Sequence, residues 1–198
     1  MRSLRFLAAA LSLALAFFAC RGAGVERDPD LSPDDRLRAE VAFDRVYTVL
    51  QHPRCLNCHP DGDRPLQHAA GHAHAMNVVR GPEDRGAPAM RCAGCHGTSN
   101  GPAAHLPPGV ATGWRLAPRE MVFEGRSRAE LAAQLRDEER SHLTLEELVH
   151  HVEHDALVKW GWEPGPGREP VPVSHADFVD AFRTWVDLGA PIPSEENR

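Results

Sequence analysis

Several features that mark common enzyme and nucleic-acid-binding classes are missing from this chain. Its glycines form neither a phosphate-binding loop nor a dinucleotide fingerprint, and no Ser-His-Asp arrangement stands out. No stretch alternates between polar and apolar residues as a half-buried β-strand would. An excess of positive charge is also absent, since 22 basic residues face 28 acidic ones and the formal net charge is −6. This acidic balance argues against a nucleic-acid partner.

Cysteine is scarce, and its placement is informative. Four of the five cysteines fall in two copies of Cys-x-x-Cys-His, at residues 55–59 and 92–96. In one turn of helix the two sulfurs lie on the same side of the backbone, where they can reach the two vinyl groups of one porphyrin. The adjacent histidine can then give the iron its proximal nitrogen. This pattern is the attachment signature of c-type haem. The sequence therefore predicts two covalent haem c groups, held by Cys55, Cys58, His59, Cys92, Cys95 and His96.

Two other interpretations of the cysteine pairs remain open. Two Cys-x-x-Cys pairs can hold one tetrahedral zinc ion, and in an exported chain they can form two disulfides. Neither alternative explains why a histidine directly follows both pairs. Haem attachment is therefore favoured. The scarcity of aromatic side chains, 6% of the chain, also fits a core that is partly made of porphyrin.

The N-terminus predicts export, which haem attachment requires. A basic start and an apolar or small stretch interrupted only by Ser12 predict a signal peptide over residues 1–19. Ala19 followed by Cys20 resembles a bacterial lipoprotein processing site, at which the cysteine becomes the lipidated first residue. We therefore expect a periplasmic protein that is tethered to the membrane through Cys20, with residues 20–31 as a solvated tether. Ordinary cleavage nearby is the alternative.

The remaining chain, residues 32–198, predicts a single all-α domain with long haem-wrapping loops. A helix begins at Ser32, and Phe43, Val46, Tyr47 and Leu50 form its apolar face as it leads into the first motif. Three more helices begin at Ser127, Thr144 and Ser174. Capping boxes are expected at the first two, where Glu130 and Glu147 follow the caps by three residues. The helix from Thr144 runs to about Lys159, and Gly189 with Pro191 ends the helix from Ser174. The segments 60–89 and 97–118 are rich in glycine, proline or histidine and predict loops.

With these features the chain resembles the cytochrome c family over roughly residues 36–192. The resemblance rests on the two motifs, on the helix before the first motif, and on the closing segment 182–191. In that family the first and last helices cross, which implies contacts between Phe43 or Tyr47 and Phe182 or Trp185. The second motif lies in the middle of the chain, and two complete cytochrome c domains would not fit. We therefore expect one cytochrome c-like domain with a second haem inserted close to the first.

The resemblance implies electron transfer in the periplasm. The expected partners are redox proteins, such as a membrane-associated or molybdenum-containing oxidoreductase. The alternative is a small di-haem peroxidase-like enzyme or a haem-based sensor with one open iron site.

The distal iron ligands are predicted from the remaining histidines and methionines. The candidates are His68, His72, His74, Met76, Met90, Met121, His150, His151 and His154. We favour His74, in a loop long enough to fold back over a porphyrin, and His154, on a helix with apolar neighbours. The alternative for His68, His72 and His74 is that they form a copper-binding or zinc-binding patch instead of supplying an iron ligand.

Overall fold

The computed structural model describes residues 28–194. The predicted signal peptide, Cys20 and most of the predicted tether lie outside the described residues, so these expectations remain predictions. Within residues 28–194, no helix is both long and apolar enough to cross a membrane.

The described chain is mostly helical. The helices are α1 (Pro33–Leu50), α2 (Pro53–Leu56), α3 (Arg128–Arg136), α4 (Glu138–Ser141), α5 (Leu145–His154), α6 (Ala156–Lys159) and α7 (His175–Asp187). Two antiparallel ladders join β1 (Leu66–Gln67) to β2 (His72–Ala73) and β3 (Gly86–Ala87) to β4 (Met90–Arg91). The expected helical majority is confirmed, but the expectation of no strands is not. The strands have only two residues each, which is too short for an alternating pattern of polar and apolar residues in the sequence. They supply hydrogen-bond partners for backbone N–H and C=O groups of the long loops.

Local hydrogen bonds explain where the predicted helices begin. The side chains of Ser32, Ser127, Thr144 and Ser174 each accept a hydrogen bond from the backbone N–H three residues on. Both expected capping boxes are formed, because Glu130 and Glu147 bond back to the backbone N–H of their caps. Each such cap stabilises a helix by about 1 kcal/mol. All four predicted helix starts are thus confirmed.

One predicted helix is shorter than expected. α5 ends at His154 instead of continuing to Lys159, because Asp155 adopts an extended conformation with φ −64° and ψ 131°. The Asp155 carboxylate then accepts the Leu157 N–H at 2.7 Å and starts α6. An aspartate that caps the following residues competes with helix continuation.

The core forms where α1 crosses α7. The Phe43 and Trp185 ring centroids lie 4.8 Å apart, and the Trp185 Nε1–H donates to the Pro191 carbonyl at 2.9 Å. Phe182 meets Trp185 edge to face, with centroids 5.7 Å apart. The expected contact between the first and last helices is therefore confirmed. Tyr47 lies at the edge of this core, and its hydroxyl donates to the Arg126 carbonyl at 3.1 Å.

The buried Arg80 holds the long segment after the first motif in place. Its guanidinium pairs with Asp84 at 2.5 Å and lies 3.6 Å from Asp63. It also donates to the carbonyls of Gly62 and Ala117. Charge-assisted bonds to several segments fix a loop that has little regular structure. The loop is thereby held against the first motif, since the Ala117 N–H donates to the Cys58 carbonyl at 3.1 Å.

Candidate haem-attachment site

The two Cys-x-x-Cys-His motifs adopt the same helical turn. The His59 N–H donates to the Cys55 carbonyl at 3.2 Å, and the His96 N–H donates to the Cys92 carbonyl at 2.9 Å. Cys55 and Leu56 of the first motif lie at the end of α2, whereas Cys92–Gly94 of the second motif form a 3₁₀ turn. The turn predicted from spacing is confirmed at both places. All four cysteines of the motifs are free thiols.

Both motif histidines are held by the same kind of hydrogen bond. Nδ1 of His59 lies 2.7 Å from the Met121 carbonyl, and Nδ1 of His96 lies 2.8 Å from the Pro108 carbonyl. A carbonyl oxygen can only accept, so each Nδ1 carries the proton. Nε2 of each ring is then left with the lone pair that binds a metal. Metal-ligating histidines are typically oriented by such a bond from the other ring nitrogen.

Burial favours the neutral form of both imidazoles. It lowers the pKa of His59 to about 4, although the hydrogen bond to Met121 acts in the opposite direction. Burial also lowers the pKa of His96, again against the effect of its carbonyl partner. A neutral imidazole is the form that binds metals near neutral pH.

An aromatic ring lies parallel to each motif histidine. Phe123 stacks on His59 with centroids 3.6 Å apart and planes within 5°, and Trp114 stacks on His96 at 4.7 Å and 8°. Trp160 then meets Trp114 edge to face at 4.9 Å. Together with the Nδ1 bond, the stacked ring fixes the plane of each imidazole.

These supporting residues were not predicted. Met121 was a candidate distal ligand, but its side chain is 5% exposed within the core and its carbonyl is what reaches His59. Phe123, Trp114 and Pro108 were assigned no role. No local pattern identifies them, because the two carbonyls lie 62 and 12 residues along the chain from the histidines they bind.

One cavity borders both motifs. It has a volume of about 420 Å³, and its lining includes Cys58 from the first motif and Cys92, Cys95 and His96 from the second. This volume is in the range of about 300–1,000 Å³ that is typical of small-molecule and cofactor pockets. The cavity places room for a large ligand directly beside the second motif.

His74 lies across this cavity from His96. Their ring centroids are 6.1 Å apart, with planes inclined by 58°. Nδ1 of His74 lies 2.9 Å from the Ala75 carbonyl, so its Nε2 also keeps a free lone pair. Two imidazoles on opposite sides of one metal, with metal–nitrogen bonds of about 2 Å, have ring centres about 6 Å apart. The separation therefore fits two ligands of a single metal ion.

His154 is placed differently from His74. It is exposed, its Nε2 lies 3.8 Å from the Glu153 carboxylate, and its ring meets His150 at 4.5 Å. It borders a separate surface pocket together with Lys159 and His175. The structure therefore does not bring His154 to the cavity that both motifs share.

His151 is the histidine of α5 that approaches the first motif. It is half-buried, and burial lowers its pKa. It lies close enough to His59 that its protonated form adds to the effect of burial in lowering the pKa of His59. Its Nδ1 lies 3.6 Å from the Asp155 carboxylate. That contact orients the ring and leaves Nε2 for another partner.

The other candidate ligands are divided between the cavity and the surface. His68, Met76 and Met90 line the cavity, whereas His72 is exposed on β2. Across residues 28–194, no three His, Cys, Asp or Glu side chains converge as a metal-ion site. The four motif cysteines therefore do not converge as a metal-ion site in the described chain, and neither do His68, His72 and His74.

Comparison with known proteins found no match: no family model, no curated protein and no solved structure matches this chain. A proposal of function for this chain therefore rests on the geometry of the two motifs.

Proposed function

We propose that this chain is an exported electron-transfer protein that carries two covalently bound haem c groups and is built on a cytochrome c-like plan. Each bound group would supply an iron that alternates between the ferric and ferrous states. The observation that carries the proposal is the repeated support of His59 and His96. Each ring has a carbonyl on Nδ1, a parallel aromatic neighbour and a free Nε2.

The residues of the motifs suit covalent attachment and ligation. Cys55 and Cys58 would form thioethers with one haem, and Cys92 and Cys95 with the other. His59 and His96 would bind iron through Nε2. The carbonyls of Met121 and Pro108 would keep these rings in one tautomer and raise their basicity as ligands. The stacked Phe123 and Trp114 would prevent the rings from turning.

We propose the distal iron ligands from the positions of the candidate histidines. His74 suits the site of His96 because of the 6.1 Å separation of the rings. For the site of His59 we favour His151 over the predicted His154, because His151 is half-buried and acts electrostatically on His59 whereas His154 is exposed. Two histidine ligands would give lower potentials than a histidine–methionine pair.

The two sites lie near one another. Cys58 and Cys92 line the same cavity. Burial, and then the nearby Cys92 sulfur, raise the pKa of Cys58 to about 11, so the two sulfurs are within electrostatic range. Such proximity supports electron passage between the two groups within one molecule.

The cellular setting and partners are proposed on the sequence alone. We propose a periplasmic protein, tethered as a lipoprotein through Cys20, that exchanges electrons with a membrane-associated or molybdenum-containing oxidoreductase. The formal charge of −6 favours docking on a neutral or basic surface of that partner.

The experiment that tests the function counts attached haem. The full chain is produced with its export signal in cells that contain haem-attachment machinery, and the pyridine haemochrome spectrum is measured on the denatured protein. We expect two haems in the wild type and one in His96→Ala or Cys92→Ala. His105→Ala, which changes an exposed histidine on the same cavity wall, should retain two. A wild type without covalent haem would refute the proposal.

A further inference from the structure

The cavity beside the second motif is positively charged although the chain as a whole is acidic. Four arginines line it, and among the described residues that line it there is no aspartate or glutamate. Two of these arginines are either paired or exposed to solvent. Arg115 lies 3.7 Å from the Asp155 carboxylate, and Arg91 is exposed. Arg54 and Arg168 remain, both half-buried in the cavity wall.

Arg54 and Arg168 lie near each other without a compensating carboxylate. Burial, and then the charge of Arg168, lower the pKa of the Arg54 guanidinium. Within the described chain neither arginine has a carboxylate within the 4.0 Å of an ion pair, and Glu169 acts on Arg54 only from a distance. Nε of Arg54 is buried and has no hydrogen-bond partner. Two like charges and an unpaired buried donor are costly unless an anion joins them.

The chain holds both guanidiniums in place by contacts that leave their charge unpaired. Arg54 lies over the Trp160 ring, with its guanidinium carbon 5.7 Å from the centroid. Arg168 donates only to carbonyls, those of Leu106 and Pro164. It follows Gly167, which has φ +71° and at which a Cβ would lie 2.3 Å from the Ala104 Cβ. This close approach of two loops sets Arg168 at the cavity wall.

We propose that Arg54 and Arg168 form a carboxylate-binding pair that receives the propionates of the haem attached at Cys92 and Cys95. The inference rests on the proposed function, because the propionates are the carboxylates that this group would bring into the cavity. A guanidinium presents its donors as a planar fork that matches a carboxylate, and such charge-assisted bonds are about twice as strong as neutral ones. An anion in this position offsets the repulsion between the two cations.

The test uses haem-loaded protein in which Arg54→Gln and Arg168→Gln are made separately. We measure the propionate bending bands in the resonance Raman spectrum, which respond to hydrogen bonding of the carboxylates, and the midpoint potentials of both haems. Each variant should shift the bands. Each should also lower one of the two potentials, because loss of a nearby cation favours the ferric state. Arg45→Gln, on the exposed face of α1, removes the same charge elsewhere and should leave the bands unchanged.

Further variants separate the outcomes. If a glutamine variant fails to attach haem, Arg168→Lys is measured, which keeps the charge but lacks the fork and should shift the bands. Bands identical to those of Arg45→Gln in all haem-loaded variants would overturn the inference. A wild type with no covalent haem refutes the proposed function instead.

Discussion

The replacement His74→Ala should open one of the two iron sites and leave the other closed. In the structure His74 is the ring that faces His96 across the cavity, with centroids 6.1 Å apart and a free Nε2. With the proposed ligands, removal of this imidazole would leave His96 as the one protein ligand of that iron. A five-coordinate ferrous iron binds carbon monoxide, whereas a six-coordinate iron with two firm ligands does not.

The expected magnitude follows from the number of motifs. With two motifs in the chain, half of the total haem in His74→Ala should react with carbon monoxide, against none in the wild type. Met76 and His68 also line the cavity and could replace His74. Met76 is 70% exposed, and fixing a long, free side chain costs up to about 2 kcal/mol of conformational entropy. Ligation by Met76 should therefore be incomplete, and the double variant His74→Ala, Met76→Ala should approach the full half.

The assay is the visible difference spectrum of dithionite-reduced protein with and without carbon monoxide, normalised to the haemochrome count. His72→Ala is the matched control, because His72 belongs to the same loop, is exposed and does not line the cavity. A triple variant His68→Ala, His74→Ala, Met76→Ala that remains unreactive would refute the assignment of His74. A wild type in which half of the haem reacts would instead favour the peroxidase-like or sensor alternative, with one site already open.

Two further predictions concern α5 and the core. His151→Ala should make about half of the haem reactive towards carbon monoxide, and His154→Ala should leave the spectrum unchanged because His154 is exposed; the reverse result would restore His154 as the ligand. Trp185→Ala should lower the free energy of unfolding by about 3–5 kcal/mol, since Trp185 is 0% exposed between Phe43 and Phe182. Urea denaturation of the haem-loaded protein measures this, and Val41→Ala, at a side chain 58% exposed, should change it by no more than about 0.5 kcal/mol.

The interpretation of the sequence was most successful where the cause is local. The helix starts at Ser127 and Thr144 were predicted because a capping box involves residues only three apart. The turn of each Cys-x-x-Cys-His motif was predicted for the same reason. The end of α5 was missed, because whether Asp155 continues a helix or caps the next one depends on what its neighbours pack against.

The choice among histidines could not be made from spacing. His151 and His154 lie on neighbouring turns of α5, and their different burial depends on how α5 packs against α7. His74 was favoured because its loop is long, but its distance from His96 depends on how the segment containing it folds back over the second motif. A loop of that length has many conformations of similar local energy.

The amino-acid sequence alone specified the turn of each Cys-x-x-Cys-His motif and the helix starts, because residue spacing and helix caps act within one turn of backbone. Covalent haem at these motifs stays a prediction from the same spacing. Only the tertiary structure decided what surrounds the motif histidines: the carbonyls of Met121 and Pro108, the stacked Phe123 and Trp114, and the arginines in the cavity wall. These groups come from distant segments. Their positions follow from the burial of apolar surface and the pairing of buried polar groups over the whole chain.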